Sequence, residues 1–75
     1  MEFDFNRLKA ERIAKGYSQK EIAEKLNWSR SAYTKREKGS VSLGVDELAE
    51  IATVLGLPEN RINIFFNSKI PVRQH

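Results

Sequence analysis

The stretch Ser18 to Gly39, with the sequence SQKEIAEKLNWSRSAYTKREKG, constrains the fold of this chain more than any other segment. Ser18 and Glu21 have the spacing of a capping box, in which the two residues satisfy the first free N–H groups of a helix. Asn27 stands where this helix should end, because Asn tolerates the left-handed backbone conformation. Three apolar residues between them repeat at helical spacing and predict one buried face: Ile22, Ala23 and Leu26.

A second helix is predicted directly after the first. Ser29 is a residue type that caps a helix N-terminus, and Gly39 is the type that ends one. Ala32 and Tyr33 should face inward with Trp28 from the turn. Two capped helices of about 8 to 10 residues joined by a turn of about 3 residues form a helix-turn-helix.

The length and composition exclude several classes of protein. A chain of 75 residues has room for one small core and a single domain. It contains no cysteine, so disulfides and thiolate metal sites are excluded. No apolar run is long enough to span a membrane, and the first residues do not have the pattern of a signal peptide. We therefore expect a cytoplasmic protein.

Positive charge is concentrated in one part of the sequence. Residues 7–38 hold ten Lys and Arg against four Glu, whereas the remainder holds three basic and six acidic residues. This asymmetry favours an oriented approach to a polyanion. The alternative is a solvated surface of mixed charge, which we expect for Lys9, Lys20 and Lys25.

Further helices are predicted on both sides of the helix-turn-helix. The first should run from about Asn6 to Lys15, capped by Asp4 or Asn6 and ended by Gly16, with a loose apolar stripe at Phe5, Leu8, Ala10, Ile13 and Ala14. A fourth should end at Gly56 and carry apolar residues at helical spacing: Val45, Leu48, Ile51, Ala52 and Leu55. Pro58 suits the first position of a fifth helix. The prediction is an all-α, compact five-helix domain over residues 1–66, with residues 67–75 a short tail or an edge strand.

These residues resemble the Cro and phage-repressor class of helix-turn-helix regulators, the XRE-like family. The resemblance runs from about Arg7 to Phe66 and includes RLKAER at 7–12, GYSQKEIAEKLNWSRSAYTKREKG at 16–39 and ELAEIATVLGL at 47–57. It implies a lambda-repressor-like fold with the helix-turn-helix at helices 2 and 3. It also implies a buried salt bridge between Arg12 and Glu37 that locks the third helix against the scaffold.

The resemblance further implies that the third helix lies in the major groove of double-stranded DNA. The candidates for base contacts are Arg30, Ser31, Thr34 and Lys35. The candidates for phosphate contacts are Gln19, Ser29, Lys38 and Ser40. No cofactor or metal is implied.

Two departures from the family pattern affect these expectations. Arg36 stands where relatives typically bury an apolar side chain, so its stem should cover the core while its guanidinium reaches water or pairs with an acidic neighbour. The loop at 40–44 lacks the basic residues that many relatives direct at the DNA backbone. Val41 and Leu43 stand there instead, and apolar residues of this kind also suit a protein partner.

Two functions remain open at this stage. The first is a sequence-specific transcriptional repressor, of phage or prophage type, that binds a palindromic operator as a homodimer. The second is an antirepressor or modulator that binds a partner repressor protein and changes its operator binding. The candidates for a protein interface are Val41, Leu43, Ile62, Phe65 and Phe66, with Ile64 beside them, although core packing would explain some of these residues equally well. An enzyme is not expected, because the single histidine is His75 and no catalytic constellation is evident.

Overall fold

The fold consists of four α-helices, a 3₁₀ helix and one short pair of strands. The computed structural model describes residues 2–67, and the side chains of residues 3–66. In chain order the elements are β1 (Glu2–Phe3), α1 (Phe5–Ala14), α2 (Gln19–Leu26), α3 (Arg30–Lys38), α4 (Val45–Leu55), the 3₁₀ helix (Glu59–Phe65) and β2 (Phe66–Asn67). The predicted all-α class with a helix-turn-helix at α2 and α3 is confirmed.

The helix ends lie where the sequence places them. Asp4 caps α1, with Oδ1 accepting the Arg7 N–H at 3.0 Å. Ser18 and Glu21 form the capping box of α2, with hydrogen bonds of 3.0 and 2.8 Å between side chain and backbone. Asn27 ends α2 in the left-handed conformation, at φ 61°. Local hydrogen bonds and backbone conformations therefore set the ends of these helices.

One buried cluster joins all the helices. It consists of Leu8, Ile22, Ala23, Leu26, Tyr33, Ile51, Leu55 and Phe65. Trp28 is half-buried and packs against this cluster from the turn. The small side chain of Ala23 suits α2, which contacts both α3 and α4, because a larger residue would hold the helix axes apart.

Four residues predicted on apolar helix faces are exposed instead: Ala10, Ile13, Ala14 and Val45. Ile13 is 56% exposed, because the inward face of α1 runs through Leu8 and Arg12 and the next residue turns about 100° away from it. Val45 is 85% exposed. It is the first residue of α4, and helical side chains point towards the N-terminus, so Val45 extends past the core.

The end of the described chain is wound more tightly than the sequence suggests. Pro58 precedes the fifth helix rather than starting it, and this helix is a 3₁₀ helix. β2 follows and pairs antiparallel with β1, with Phe3 opposite Phe66 and Glu2 opposite Asn67. Asn67 is the first residue of the segment predicted as a short tail or an edge strand, and residues 68–75 of that segment lie outside the described residues.

Candidate nucleic-acid interface

Helix α3 has one buried face and one open face. Its capping residue Ser29 accepts the Ala32 N–H at 3.1 Å, and Gly39 ends the helix in the left-handed conformation. Tyr33 and Glu37, one helical turn apart, are both buried. The four candidates for base contacts make up the open face: Arg30, Ser31 and Lys35 are exposed and Thr34 is partly exposed.

A buried ion pair attaches α3 to α1. Arg12 Nε donates to Glu37 Oε1 at 2.7 Å, and Arg12 Nη2 donates to Glu37 Oε2 at 3.2 Å. Arg12 Nη1 also donates to the Tyr17 carbonyl at 2.8 Å. The structure thus brings together the two residues for which the resemblance implied a salt bridge, and the bidentate geometry fixes the orientation of both side chains.

Two further side chains donate to the same carboxylate. Gln19 Nε2 lies 2.9 Å from Glu37 Oε2, and the Tyr33 hydroxyl lies 3.0 Å from Glu37 Oε1. Burial disfavours the charged form of Glu37, but the hydrogen bonds from Arg12, Gln19 and Tyr33 outweigh it and hold the pKa of Glu37 below its ordinary value. Burial, together with the Glu37 charge, raises the pKa of the Tyr33 hydroxyl.

The roles of Gln19 and Tyr33 in this network were not anticipated from the sequence. Tyr33 and Glu37 have the i, i+4 spacing that places two side chains side by side on a helix, so this contact had a readable signal. Gln19 is 18 residues from Glu37, and no local pattern relates them. Its side-chain oxygen also accepts the Thr34 hydroxyl at 3.3 Å, so the amide of this phosphate candidate is already engaged with two residues of α3.

The remaining phosphate candidates lie at the two ends of α3. Ser29 and Lys38 are exposed at its start and its end. Ser40 is also exposed, and its backbone N–H donates to the Lys35 carbonyl at 2.9 Å in the turn that follows the helix. Ser29 therefore lies at the N-terminal end of α3, and Lys38 and Ser40 lie at its C-terminal end.

Arg36 connects α3 to α4. Its guanidinium lies 5.3 Å from the centre of the Trp28 ring, and its Nε donates to Glu47 Oε1 at 3.0 Å. The same Glu47 oxygen accepts the Gly44 N–H at the start of α4. Of the two alternatives expected for Arg36, the structure shows pairing with an acidic neighbour, and the guanidinium rather than the stem covers the Trp28 ring.

The candidates for a protein interface differ in their exposure. Phe65 is 0% exposed, so this candidate is wrong: the side chain belongs to the core. Phe66 is 38% and Val41 36% exposed, whereas Leu43, Ile62 and Ile64 are half-buried against the core. Two of these candidates, Leu43 and Phe66, line an apolar groove of about 380 Å³, together with Phe3, Phe5, Ser42, Gly44, Val45 and Leu48.

The geometry offers an exposed basic helix held by a rigid support, and the comparison with known families agrees with it. The sequence model described as Helix-turn-helix matches residues 8–62, from α1 into the 3₁₀ helix. The chain belongs to this family of XRE-type regulators. No curated protein matches the sequence significantly.

Membership of the XRE-type helix-turn-helix family defines the general function. The protein is a DNA-binding transcriptional regulator, and the domain is of a regulatory kind that is not typically catalytic. Within residues 2–67, no group of His, Asp or Glu side chains has an arrangement that could hold a metal ion. None of the helices in this range is long and apolar enough to cross a membrane.

Proposed function

We propose that this XRE-type regulator is a sequence-specific repressor, of phage or prophage type, that inserts α3 into the major groove of its operator. The open face of α3 carries this proposal. Arg30, Ser31 and Lys35 are exposed on it, while the buried Glu37 attaches α3 to α1 and α2. A reading helix needs this combination, because base recognition requires side chains held at a fixed register.

The chemistry of the open face indicates which base edges it reads. Arg30 and Lys35 are donors suited to the O6 and N7 atoms of guanine, and each good contact discriminates by about 1 to 3 kcal/mol. Ser31 and Thr34 carry hydroxyl groups that pair with either donors or acceptors. Ser29, Lys38 and Ser40 would contact phosphates beside the groove. Gln19 would do so through its second side-chain N–H, because the first is bound to Glu37.

We further propose that the repressor binds a palindromic operator as a homodimer in the cytoplasm. Two reading helices related by a two-fold axis meet half-sites about 34 Å apart. Phe66 and Val41 are the interface candidates that are exposed, whereas Leu43, Ile62 and Ile64 are half-buried. Phe66 is the strongest of these, because a large aromatic side chain buries the most apolar area on association.

Selection from a library of duplexes, followed by titration of the selected operator at increasing salt, tests the proposal. The Arg30→Ala, Lys35→Ala double variant should lose the preference for the selected operator over scrambled DNA. The matched control is Lys15→Ala, Arg61→Ala, which removes the same charge from two exposed residues outside α3. Circular dichroism checks that each variant is folded.

Three results would count against groove reading by α3. One is the absence of any preferred sequence in the selection. The second is binding that does not weaken with salt, because phosphate contacts release counterions and impose a negative slope. The third is full specificity in the folded α3 variant.

The apolar groove favours a second candidate function. Val45 and Phe66 expose apolar surface at its rim, and a modulator that binds a partner repressor would use such a surface. The Val45→Lys variant should then abolish regulation in a reporter assay while DNA binding by the purified protein stays unchanged. If the Val45→Lys variant keeps both regulation in the reporter assay and DNA binding, the partner-binding function is contradicted.

A further inference from the structure

A second polar surface lies beside the open face of α3, at the junction of α1 and α3. It is a cleft of about 260 Å³ lined by Phe5, Asn6, Lys9, Gln19, Glu37 and Lys38. The sequence alone assigned Lys9 no role beyond solubility. In the structure Lys9 shares this cleft with Gln19 and Lys38, two of the candidates for phosphate contacts.

The packing of α1 on α3 is what directs Lys9 towards the cleft. The Phe5 ring lies against Gly39, so close that a Cβ at Gly39 would be 3.1 Å from Phe5 Cε2. Arg12 binds Glu37 on the same side of α1. Lys9 comes four residues after Phe5 and three before Arg12, a spacing that places all three side chains on one helix face. The face of α1 that meets α3 therefore carries Lys9.

The charge of the cleft is positive. Its only carboxylate is Glu37, and the guanidinium of Arg12 neutralises it through two hydrogen bonds. Lys9 and Lys38 remain, one from each helix, and both are exposed. The amide groups of Asn6 and Gln19 add polar atoms to the wall but no charge. Two ammonium groups beside polar amides suit a singly charged group that carries several oxygen acceptors.

We propose that Lys9 and Lys38 bind a backbone phosphate of the DNA, so that the contact surface extends from α3 onto α1. This inference rests on the proposed function, since it places the phosphate next to the groove that α3 reads. Phosphate contacts position a protein on the duplex and carry no sequence information. Lys9 therefore contributes affinity and register, whereas base preference stays with the open face of α3.

The test is the salt dependence of DNA binding by Lys9→Gln. Losing one phosphate contact should make the slope of log K against log salt less steep by about 0.9. If the two lines meet near 1 M salt, affinity at 0.1 M falls about eightfold, and it falls equally for the operator and for scrambled duplex. Lys9→Arg, which keeps the charge, should restore the slope.

Lys15→Gln is the matched control, because it removes the same charge from an exposed residue of the chain segment that follows α1. Equal effects of Lys9→Gln and Lys15→Gln would show a general charge effect and overturn the inference. Failure of the unsubstituted protein to bind any duplex would instead overturn the proposed function.

A titration with inorganic phosphate in the absence of DNA separates the two sources of a phosphate group. Chemical-shift changes at Lys9 that saturate, combined with unchanged DNA affinity of Lys9→Gln, would assign the cleft to a small anion and overturn the inference. No saturable response to inorganic phosphate, together with the reduced salt slope, supports contact with the DNA backbone.

Discussion

At the scale of single residues, Glu37 is the point at which three helices are joined. It accepts hydrogen bonds from Arg12 on α1, Gln19 on α2 and Tyr33 on its own helix. A buried carboxylate is costly unless it is paired and its oxygens are satisfied. Here both oxygens have donors, so α3 is held in one orientation relative to α1 and α2.

Replacing Glu37 with Gln should destabilise the fold strongly. The substitution keeps the size of the side chain but leaves the Arg12 charge buried without its partner, a loss of about 3 to 5 kcal/mol in the free energy of unfolding. Urea unfolding followed by Trp28 fluorescence measures it. The control is Glu11→Gln, which breaks the surface pair with Arg7 and should cost less than about 1 kcal/mol. Similar losses in the free energy of unfolding for Glu37→Gln and Glu11→Gln would contradict a stabilising role for the Glu37 network.

The lowered pKa of Glu37 predicts how the free energy of unfolding depends on pH. The pKa of Glu37 is lower in the folded protein than its ordinary value of 4.5, so below about pH 4.5 the unfolded chain takes up a proton that the folded protein does not. The stabilisation from Glu37 is therefore present at neutral pH and is lost as the pH falls through the folded pKa. In urea unfolding between pH 7 and 3, the difference between the unsubstituted protein and Glu37→Gln should shrink as the pH falls. A constant difference would mean that Glu37 does not titrate differently in the two states.

At the scale of elements, two helices end at glycines in the left-handed conformation, but only one of these glycines is packed against another helix. Gly39 and Gly56 end α3 and α4 with φ of 82° and 72°. Both positions require a left-handed backbone, but their surroundings differ. The Phe5 ring covers Gly39, whereas nothing lies within 4 Å of a Cβ built on Gly56.

Alanine at these two glycines should therefore have unequal effects. Gly56→Ala adds only the strain of a left-handed alanine, about 1 to 2 kcal/mol. Gly39→Ala adds the same strain and also displaces the Phe5 ring, so its loss should exceed that of Gly56→Ala by about 1 kcal/mol or more. Thermal unfolding of the two variants side by side measures the difference. Equal losses would mean that the Phe5 ring moves aside freely.

At the scale of the whole molecule, the two ends of the described chain close against each other. The Asp4 N–H donates to the Phe65 carbonyl at 2.6 Å, and the Phe3 ring stacks on the Phe65 ring with centroids 5.7 Å apart. β1 and β2 pair beside this contact. Phe65 thus anchors the end of the 3₁₀ helix in the core and supports α1, on which the reading helix rests.

Replacing Phe65 or Phe66 with alanine should lower the free energy of unfolding by different amounts. Phe65→Ala removes a fully buried ring and should lower the free energy of unfolding by about 3 to 5 kcal/mol. Phe66→Ala removes a ring that is 38% exposed and should cost clearly less, because less apolar area leaves the protein interior. Chemical unfolding of both variants checks this order. The reverse order would mean that the exposed ring is the structural one.

The charge distribution also acts at the scale of the whole molecule. Residues 7–38, which include most of α1 and all of α2 and α3, have a net positive charge, whereas α4 carries three acidic residues and no basic one. Opposite charges on the two halves favour approach to DNA with α3 leading. The proposed contact at Lys9 lies within this basic half, beside the reading helix.

The sequence by itself determined the four α-helices and the residues that cap them. Ser18, Asn27, Ser29 and Gly39 act through hydrogen bonds and backbone conformations within a few residues, so their roles are readable without the fold. The common face of the base-contact candidates follows from helical periodicity in the same way. Whether these residues touch DNA stays a prediction, because contact depends on a partner that periodicity does not describe.

Only the tertiary structure decided which faces are covered and which distant side chains meet. Ile13 and Val45 fit apolar patterns but are exposed, because burial depends on where the neighbouring helices pack. Phe65 is buried and the next residue, Phe66, is exposed, because the 3₁₀ helix ends at Phe65 and a strand begins at Phe66. The sequence has no signal for this change from helical to strand periodicity. The contact of Gln19 with Glu37 and the place of Lys9 in a basic cleft both follow from the docking of α1 and α2 on α3. Docking of this kind joins residues far apart in the chain, and no local pattern encodes it.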